Sequence, residues 1–150
     1  MTGMKASEAF SRMRRVFLDS APVIYHVQAD PVYSGRTSLL FQRIDIGELE
    51  AVTSVITLAE CLVLPLKRND SALATRFRER IIEGLNTRMA GVDDVVEKAA
   101  ELRARHHVSL LDALQLACAE ANGCDSFLTN DRRLARIEEM PVLVLGDLQE

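Results

Sequence analysis

Short apolar runs alternate with longer amphipathic segments along most of the chain. The runs that are short enough for strands cover residues 15–18, 49–53, 89–92, 126–129 and 142–145. The helical patterns cover residues 21–27, 33–46, 56–67, 71–84, 93–106 and 109–122. Strands separated by helices favour a parallel sheet that is covered on both faces. The sequence therefore predicts an α/β fold, a three-layer sandwich built on a parallel sheet of about five strands.

The length and the ends of the chain indicate one domain. A chain of 150 residues is long enough to bury a sizeable core. Residues 1–14 are polar and lack a strong period, so we expect an N-terminal extension outside the core, followed by one domain over residues 15–150. No apolar run approaches the roughly 18 residues of a membrane span, and the N-terminus lacks the apolar core of a signal peptide. We therefore expect a cytoplasmic protein that does not bind membranes.

Four acidic residues interrupt or follow the apolar segments. Asp19 follows the first predicted strand, and Asp131 comes soon after the fourth. Asp112 lies in the first turn of one helical pattern, and Glu60 lies one turn into another. A carboxylate in apolar surroundings is costly unless something compensates it. Because ligands gather beyond the carboxyl ends of parallel strands, these positions suggest a shared cation.

Each acid also has a structural explanation, and for three of them it is a good one. The three aspartates stand where they could cap helices. Capping cannot explain Glu60, whose helical neighbours Ile56, Val63 and Leu64 are all apolar. We therefore expect the Glu60 side chain to face the protein and not bulk water.

The type of ligand indicates the type of metal. Clustered carboxylates repel one another, and a hard divalent cation relieves that repulsion. Mg²⁺ and Mn²⁺ both prefer oxygen ligands, so we expect Mg²⁺, with Mn²⁺ as an alternative. The histidines and cysteines are not suitably placed to bind zinc. Carboxylate-held Mg²⁺ usually acts on phosphates. The formal net charge of −4 argues only against nucleic-acid binding through a general basic field.

Four short motifs surround these acids. They are VFLDS at residues 16–20, TSVITLAE at residues 53–60, SLLDA at residues 109–113 and FLTND at residues 127–131. In this order and near this spacing, the chain resembles the PIN-domain ribonucleases over residues 15–148. Among them it most closely resembles the VapC-type toxins of bacterial toxin–antitoxin pairs.

The resemblance implies a metal-dependent endoribonuclease, with RNA as substrate, an antitoxin protein as partner and a homodimer as the assembly. It also implies that the first and fourth strands are neighbours in the sheet. The metal-binding and catalytic acids that it implies are Asp19, Glu60, Asp112 and Asp131. The supporting polar residues that it implies are Ser20, Thr129 and Asn130.

The chain departs from the family's pattern after the last motif. Some members carry a further acid there, whereas this chain has Arg132 and Arg133. The departure leaves open whether the site holds one metal or two. It also makes the two arginines candidates for contacts with the RNA backbone. The alternative is that Arg132 and Arg133 simply lie on the solvated face of a helix.

Other proteins with acidic pockets fit the sequence less well. A receiver-type signalling module needs a lysine near the late strands, and no lysine follows Lys98. A haloacid-dehalogenase-like phosphatase needs an aspartate two residues after Asp19, where this chain has Ala21. The remaining alternative to the nuclease is a non-catalytic signalling or RNA-binding module with an acidic pocket.

Overall fold

A computed structural model describes residues 3–150 of the protein, and within them one five-stranded sheet forms the centre. Its strands are β1 (Arg15–Leu18), β2 (Glu50–Ser54), β3 (Thr87–Ala90), β4 (Ser126–Thr129) and β5 (Val142–Val144). Their order is β3-β2-β1-β4-β5, and every neighbouring pair is parallel. The predicted parallel sheet is confirmed, with β1 in the middle between β2 and β4.

Seven α-helices are present within residues 3–150. They are α1 (Ala6–Ser11), α2 (Ser20–Val27), α3 (Ser34–Asp45), α4 (Val55–Lys67), α5 (Ser71–Ile82), α6 (Val96–His106) and α7 (Leu110–Ala121). Short 3-10 helices cover Asp93–Val95, Arg132–Arg136 and Leu145–Asp147. All six predicted helical patterns correspond to helices. None of the helices in this part of the chain is long and apolar enough to cross a membrane.

The two faces of the sheet carry separate cores, as a three-layer sandwich requires. Successive side chains of a strand point to opposite faces. Val16 and Leu18 of β1 accordingly pack with helices α1 to α5, whereas Phe17 packs with α6 and α7. The ring of Phe17 stacks on that of Phe127 in β4, with the ring centroids 5.1 Å apart. The sequence prediction of helices on both faces is therefore confirmed.

The edge strand β3 lies two residues earlier than the apolar run at residues 89–92 had predicted. Its four residues are partly or fully exposed. A strand whose faces are only partly buried carries little of the apolar pattern on which the prediction rests. The pattern therefore located the strand but not its ends.

The expectation that residues 1–14 lie outside the core is wrong for residues 3–14. Residues 1 and 2 lie outside the part of the chain that the structure describes. Phe10 on α1 and Met13 after it are buried in the core beside α3. The main chain of Lys5 also forms a parallel bridge with Gln149, which ties the two ends of the chain together. The apolar residues of this segment do have helical spacing, but six residues of helix are too few to give a strong period.

Candidate active site

Asp19 lies at the carboxyl end of the central strand and caps α2. Its Oδ1 accepts a hydrogen bond from the main-chain N–H of Ser20 (2.9 Å), and its Oδ2 accepts one from the hydroxyl of Thr129 (2.7 Å). Thr129 is close because β1 pairs in parallel with β4, with Leu18 opposite Leu128. The two hydrogen bonds fix the direction in which the Asp19 carboxylate points.

Buried polar side chains connect α7 to α4 beneath the acids. The Ser54 hydroxyl donates to Oε1 of Gln115, and Nε2 of Gln115 donates to the Thr57 hydroxyl (2.7 Å). The hydroxyls of Thr53 and Thr57 in turn donate to the main-chain carbonyl of Leu18, at 2.9 and 3.2 Å. Because every one of these groups has a partner, the network can lie in the core without a large penalty.

Sequence reasoning missed Gln115, which is fully buried and also lowers the pKa of Asp19 by hydrogen bonding. A signal was present, because Gln115 is a polar residue one turn after Asp112 with apolar residues on either side of it in the helix. The network positions α7, and with it Asp112, against the end of the sheet.

Glu60 does not face the protein interior as the sequence had suggested. The residue is exposed, and its Oε1 accepts a hydrogen bond from the Ser20 hydroxyl at 3.3 Å. The prediction failed because its apolar helical neighbours Val63 and Leu64 are themselves exposed, at 51% and 38%. Helix α4 has apolar residues on its exposed face as well as on its buried face. Apolar neighbours in the sequence therefore did not imply that Glu60 is buried.

Asp112 lies in the first turn of α7, as predicted. The N-cap of that helix is Ser109, whose hydroxyl accepts a hydrogen bond from the main-chain N–H of Asp112 (3.1 Å). The cap thus uses the main chain of Asp112 and not its carboxylate. This arrangement removes much of the force of the capping explanation for the Asp112 side chain.

Asp131 is held by Arg133. Its Oδ1 accepts hydrogen bonds from the main-chain N–H and from Nε of Arg133, both at 3.0 Å. Its Oδ2 accepts one from Nη2 of the same residue at 2.8 Å. Asp131 is also the N-cap of the 3-10 helix Arg132–Arg136, so its capping explanation is correct as far as it goes.

The remaining predicted residues lie around this edge of the sheet. Asn130 accepts a hydrogen bond from the main-chain N–H of Gly146 (2.8 Å) and donates one to the Tyr25 hydroxyl (3.0 Å). It therefore joins the end of β4 to α2 and to the C-terminal segment. Arg132 is exposed and forms an ion pair with Asp147 at 2.8 Å.

The electrostatic surroundings of Asp131 differ from those of the other three acids. Burial raises the pKa of Asp19, and the nearby charge of Asp112 raises it further. Reduced solvation of the carboxyl group raises the pKa of Glu60, followed by the charges of Asp19 and Asp112. The pKa of Asp131 is lowered instead, chiefly by its hydrogen bond with Arg133. The charge of Asp112 thus acts on both Asp19 and Glu60, whereas the charge of Asp131 is balanced by Arg133.

The donor chemistry of the three coupled acids suits a hard divalent cation, since all their ligand atoms are oxygens and their charges repel. As the side chains stand, no three acidic, histidine or cysteine groups within residues 3–150 converge on one ion position. Arg133 holds both carboxylate oxygens of Asp131, and Glu60 is exposed. The residues present therefore fit a divalent cation by charge and chemistry, with side-chain movement needed to surround it.

Comparison with known proteins identifies the family. The model of the PIN domain family matches residues 16–140, which is most of the chain. This chain belongs to the PIN-domain family. A search of curated proteins finds no match.

Solved structures share the PIN fold at low sequence identity. One is a VapBC2 complex from Rickettsia felis bound to a promoter DNA fragment (TM-score 0.67, 16% identity, 87% of this chain and 98% of that chain). Another is a toxin–antitoxin complex from Klebsiella pneumoniae (TM-score 0.63, 17% identity, 87% of this chain and 97% of that chain). A third is VapC20 from Mycobacterium tuberculosis, a toxin that cleaves the sarcin–ricin loop (TM-score 0.64, 21% identity, 84% of this chain and 98% of that chain). At these identities the likeness establishes the fold.

The raised pKa of Asp19 predicts how the stability of this PIN domain depends on pH. The folded state holds the Asp19 proton more tightly than the unfolded chain does, so the Asp19 contribution to stability falls as the pH rises above its ordinary pKa of 3.8. We expect Asp19→Asn to stabilise the metal-free domain relative to wild type, by an amount that grows between about pH 4 and pH 7. Urea denaturation in the presence of chelator measures this difference.

Asp125 offers a control of opposite sign. Hydrogen bonds from the main-chain N–H groups of Arg15 and Arg14 lower its pKa, so its contribution to stability is present above pH 3.8 and is lost as the pH falls. Asp125→Asn should therefore be less stable than wild type at neutral pH. An Asp19→Asn variant with no advantage at pH 7 would contradict the assignment of Asp19 as an electrostatic cost to the fold.

Proposed function

We propose that this PIN-domain protein is a metal-dependent endoribonuclease that hydrolyses RNA phosphodiester bonds in the cytoplasm, as the toxin of a type II toxin–antitoxin pair. The observation that carries the proposal is the pair of raised carboxyl pKa values at the carboxyl edge of the sheet: burial and the charge of Asp112 raise the pKa of both Asp19 and Glu60. Carboxyl groups whose pKa is raised by burial and by a neighbouring charge are typical of functional sites. The similarity in fold to a toxin that cleaves the sarcin–ricin loop supports the choice of RNA as the substrate class.

Asp19, Glu60 and Asp112 would hold the metal, together with Asp131. We propose Mg²⁺, with Mn²⁺ as an alternative, because both prefer oxygen ligands. When bound, such an ion polarises a phosphoryl oxygen and lowers the pKa of its water.

The protein's own groups have distinct roles in this scheme. Ser20 and Thr129 hold Asp19 in one orientation through its two oxygens. Glu60 is solvent-accessible, so its carboxylate is suited to accept the proton of the attacking water. Gln115 fixes α7 and thereby the position of Asp112.

We propose that Arg132 and Arg133 contact the RNA backbone beside the acids. Both side chains are largely exposed, at 67% and 83%, and both are paired with carboxylates at the surface. Exposed ion pairs are weak, so an RNA phosphate can replace the carboxylate as the partner of either arginine. Such contacts supply local positive charge to a protein whose net charge is −4.

One observation favours the alternative of a non-catalytic RNA-binding or signalling module. The pairing of Asp131 with Arg133 removes one of the four acids from the site as it stands. A module of this kind would bind RNA or a partner without cleaving RNA, and cleavage assays separate the two functions directly.

The catalytic proposal predicts cleavage that depends on metal and on the coupled acids. The purified protein should cut labelled RNA with Mg²⁺ or Mn²⁺ and not with excess chelator. Asp19→Asn and Asp112→Asn should each reduce the rate by roughly a hundredfold or more, because they remove ligand charge and little volume. Asp125→Asn, at the opposite edge of the sheet, should cleave at the wild-type rate. Full activity in excess chelator would refute the mechanism.

We further propose a homodimer, which uses apolar residues that the monomer leaves exposed. On α4 these include Val63 (51%), Leu64 (38%) and Leu66 (59%). Contiguous exposed apolar side chains of this size are typical of interfaces. These apolar side chains of α4 are therefore on the surface and available to a partner.

A charged residue in this patch should break the dimer. Leu66→Glu should shift the molecular mass measured by light scattering at micromolar concentration from dimer to monomer. Val96→Glu, at an equally exposed apolar residue on the other face of the sheet, should leave the mass unchanged (54% exposed). A wild-type monomer under these conditions would count against the homodimer.

An antitoxin partner follows from the proposed activity, since a nuclease that cuts cellular RNA harms its host unless restrained. The similarity to solved toxin–antitoxin complexes supports such a partner. Expression of this chain alone should arrest growth, and co-expression with the product of its genomic neighbour should relieve the arrest. The Asp19→Asn variant should be harmless, and a variant that is still toxic would separate the harm from the proposed chemistry.

A further inference from the structure

The Arg133 side chain makes a two-pronged contact with Asp131. Its Nε bonds Oδ1 at 3.0 Å and its Nη2 bonds Oδ2 at 2.8 Å, so that the planar guanidinium covers both carboxylate oxygens. This is the geometry in which arginine binds carboxylates most specifically. The oxygens that it covers are those that a metal ion would need from Asp131.

The same guanidinium also lies near a second acid of the site. Arg133 lines a slot of about 90 Å³ together with Asp112 and Asp131. The positive charge of Arg133 thus stands in one slot with two of the four acids.

The neighbouring arginine behaves differently. Arg132 pairs instead with Asp147, at 2.8 Å between Nη2 and Oδ1. The two residues are adjacent in sequence and carry the same charge, and both are exposed. Only one of them engages a site acid, so the contact of Arg133 is not a general property of this basic stretch.

We infer that Arg133 is an internal counter-ion of the acidic site, which holds Asp131 while no metal is bound and has to release it before Asp131 can bind a divalent cation. The inference rests on the proposed function, because it takes these acids as the metal ligands. The guanidinium and the metal compete for the same oxygens, so the ion pair lowers the affinity for metal. Since the side chain is 83% exposed, the pair is weak enough for an ion to displace it.

Calorimetric titration with Mn²⁺ alone tests this competition without reference to activity. Arg133→Gln should bind Mn²⁺ roughly two- to fivefold more tightly than wild type, which is the effect expected for removing an exposed ion pair. Arg133→Lys should fall between the two, because lysine keeps the charge but cannot cover both oxygens. Arg132→Gln is the matched control for loss of charge and should change the affinity by less than the Arg133→Gln variant does.

A double variant tests whether the effect passes through Asp131. In an Asp131→Asn background, Arg133→Gln should no longer tighten Mn²⁺ binding, because the competition has already been removed. The main-chain N–H of Arg133 still bonds residue 131 in these variants, and circular dichroism should show an unchanged fold.

The outcomes distinguish this inference from the proposed function. If wild type binds Mn²⁺ but Arg133→Gln binds it equally well or more weakly, the counter-ion role is overturned and the metal site stands. If Arg132→Gln tightens binding as much as Arg133→Gln, the effect is one of net charge and the role is likewise overturned. Failure of every variant and of wild type to bind Mn²⁺ would overturn both.

Discussion

The parallel pairing of β1 with β4 is the interaction on which the site depends. It places Leu18 opposite Leu128, and as a result the residues that follow each strand meet at one edge of the sheet. Thr129 then donates to Asp19, although the two residues are 110 positions apart in the chain. Long-range pairs of this kind form only when the whole sheet forms, so the geometry of Asp19 is as stable as the fold itself.

Holding the ionised acids of the site together is electrostatically unfavourable, and the rest of the structure offsets part of this cost. Burial and the neighbouring charge of Asp112 both disfavour the ionised form of Asp19. Hydrogen bonds from Thr129, Ser20 and Gln115 lower the cost without removing it. Buried apolar clusters cover both faces of the sheet, and Phe17 of β1 stacks on Phe127 of β4. A fold with such support can hold carboxyl groups close together although their charges repel.

Predictions from the sequence succeeded where a residue's position in its element decided the outcome. Asp19 after β1 and Asp112 in the first turn of α7 are of this kind, because the end of an apolar run locates them. Predictions failed where burial depended on what packs against a surface. Glu60 is exposed although its helical neighbours are apolar, and Phe10 is buried although its helix is only six residues long. Periodicity reports which residues share a face, and it does not report whether that face is covered.

The sequence by itself determined the alternation of strands and helices, the motifs of the PIN-domain family and the type of ligand atom at the site. These properties are local, since each is set by the chemistry and spacing of a few consecutive residues. Only the tertiary structure decided that the charge of Asp112 acts on Asp19 and Glu60, that buried Gln115 hydrogen-bonds to Asp19 and that Arg133 holds Asp131. Those relations depend on distances between side chains from different elements, and on the direction in which each side chain points, which the order of residues along the chain does not specify.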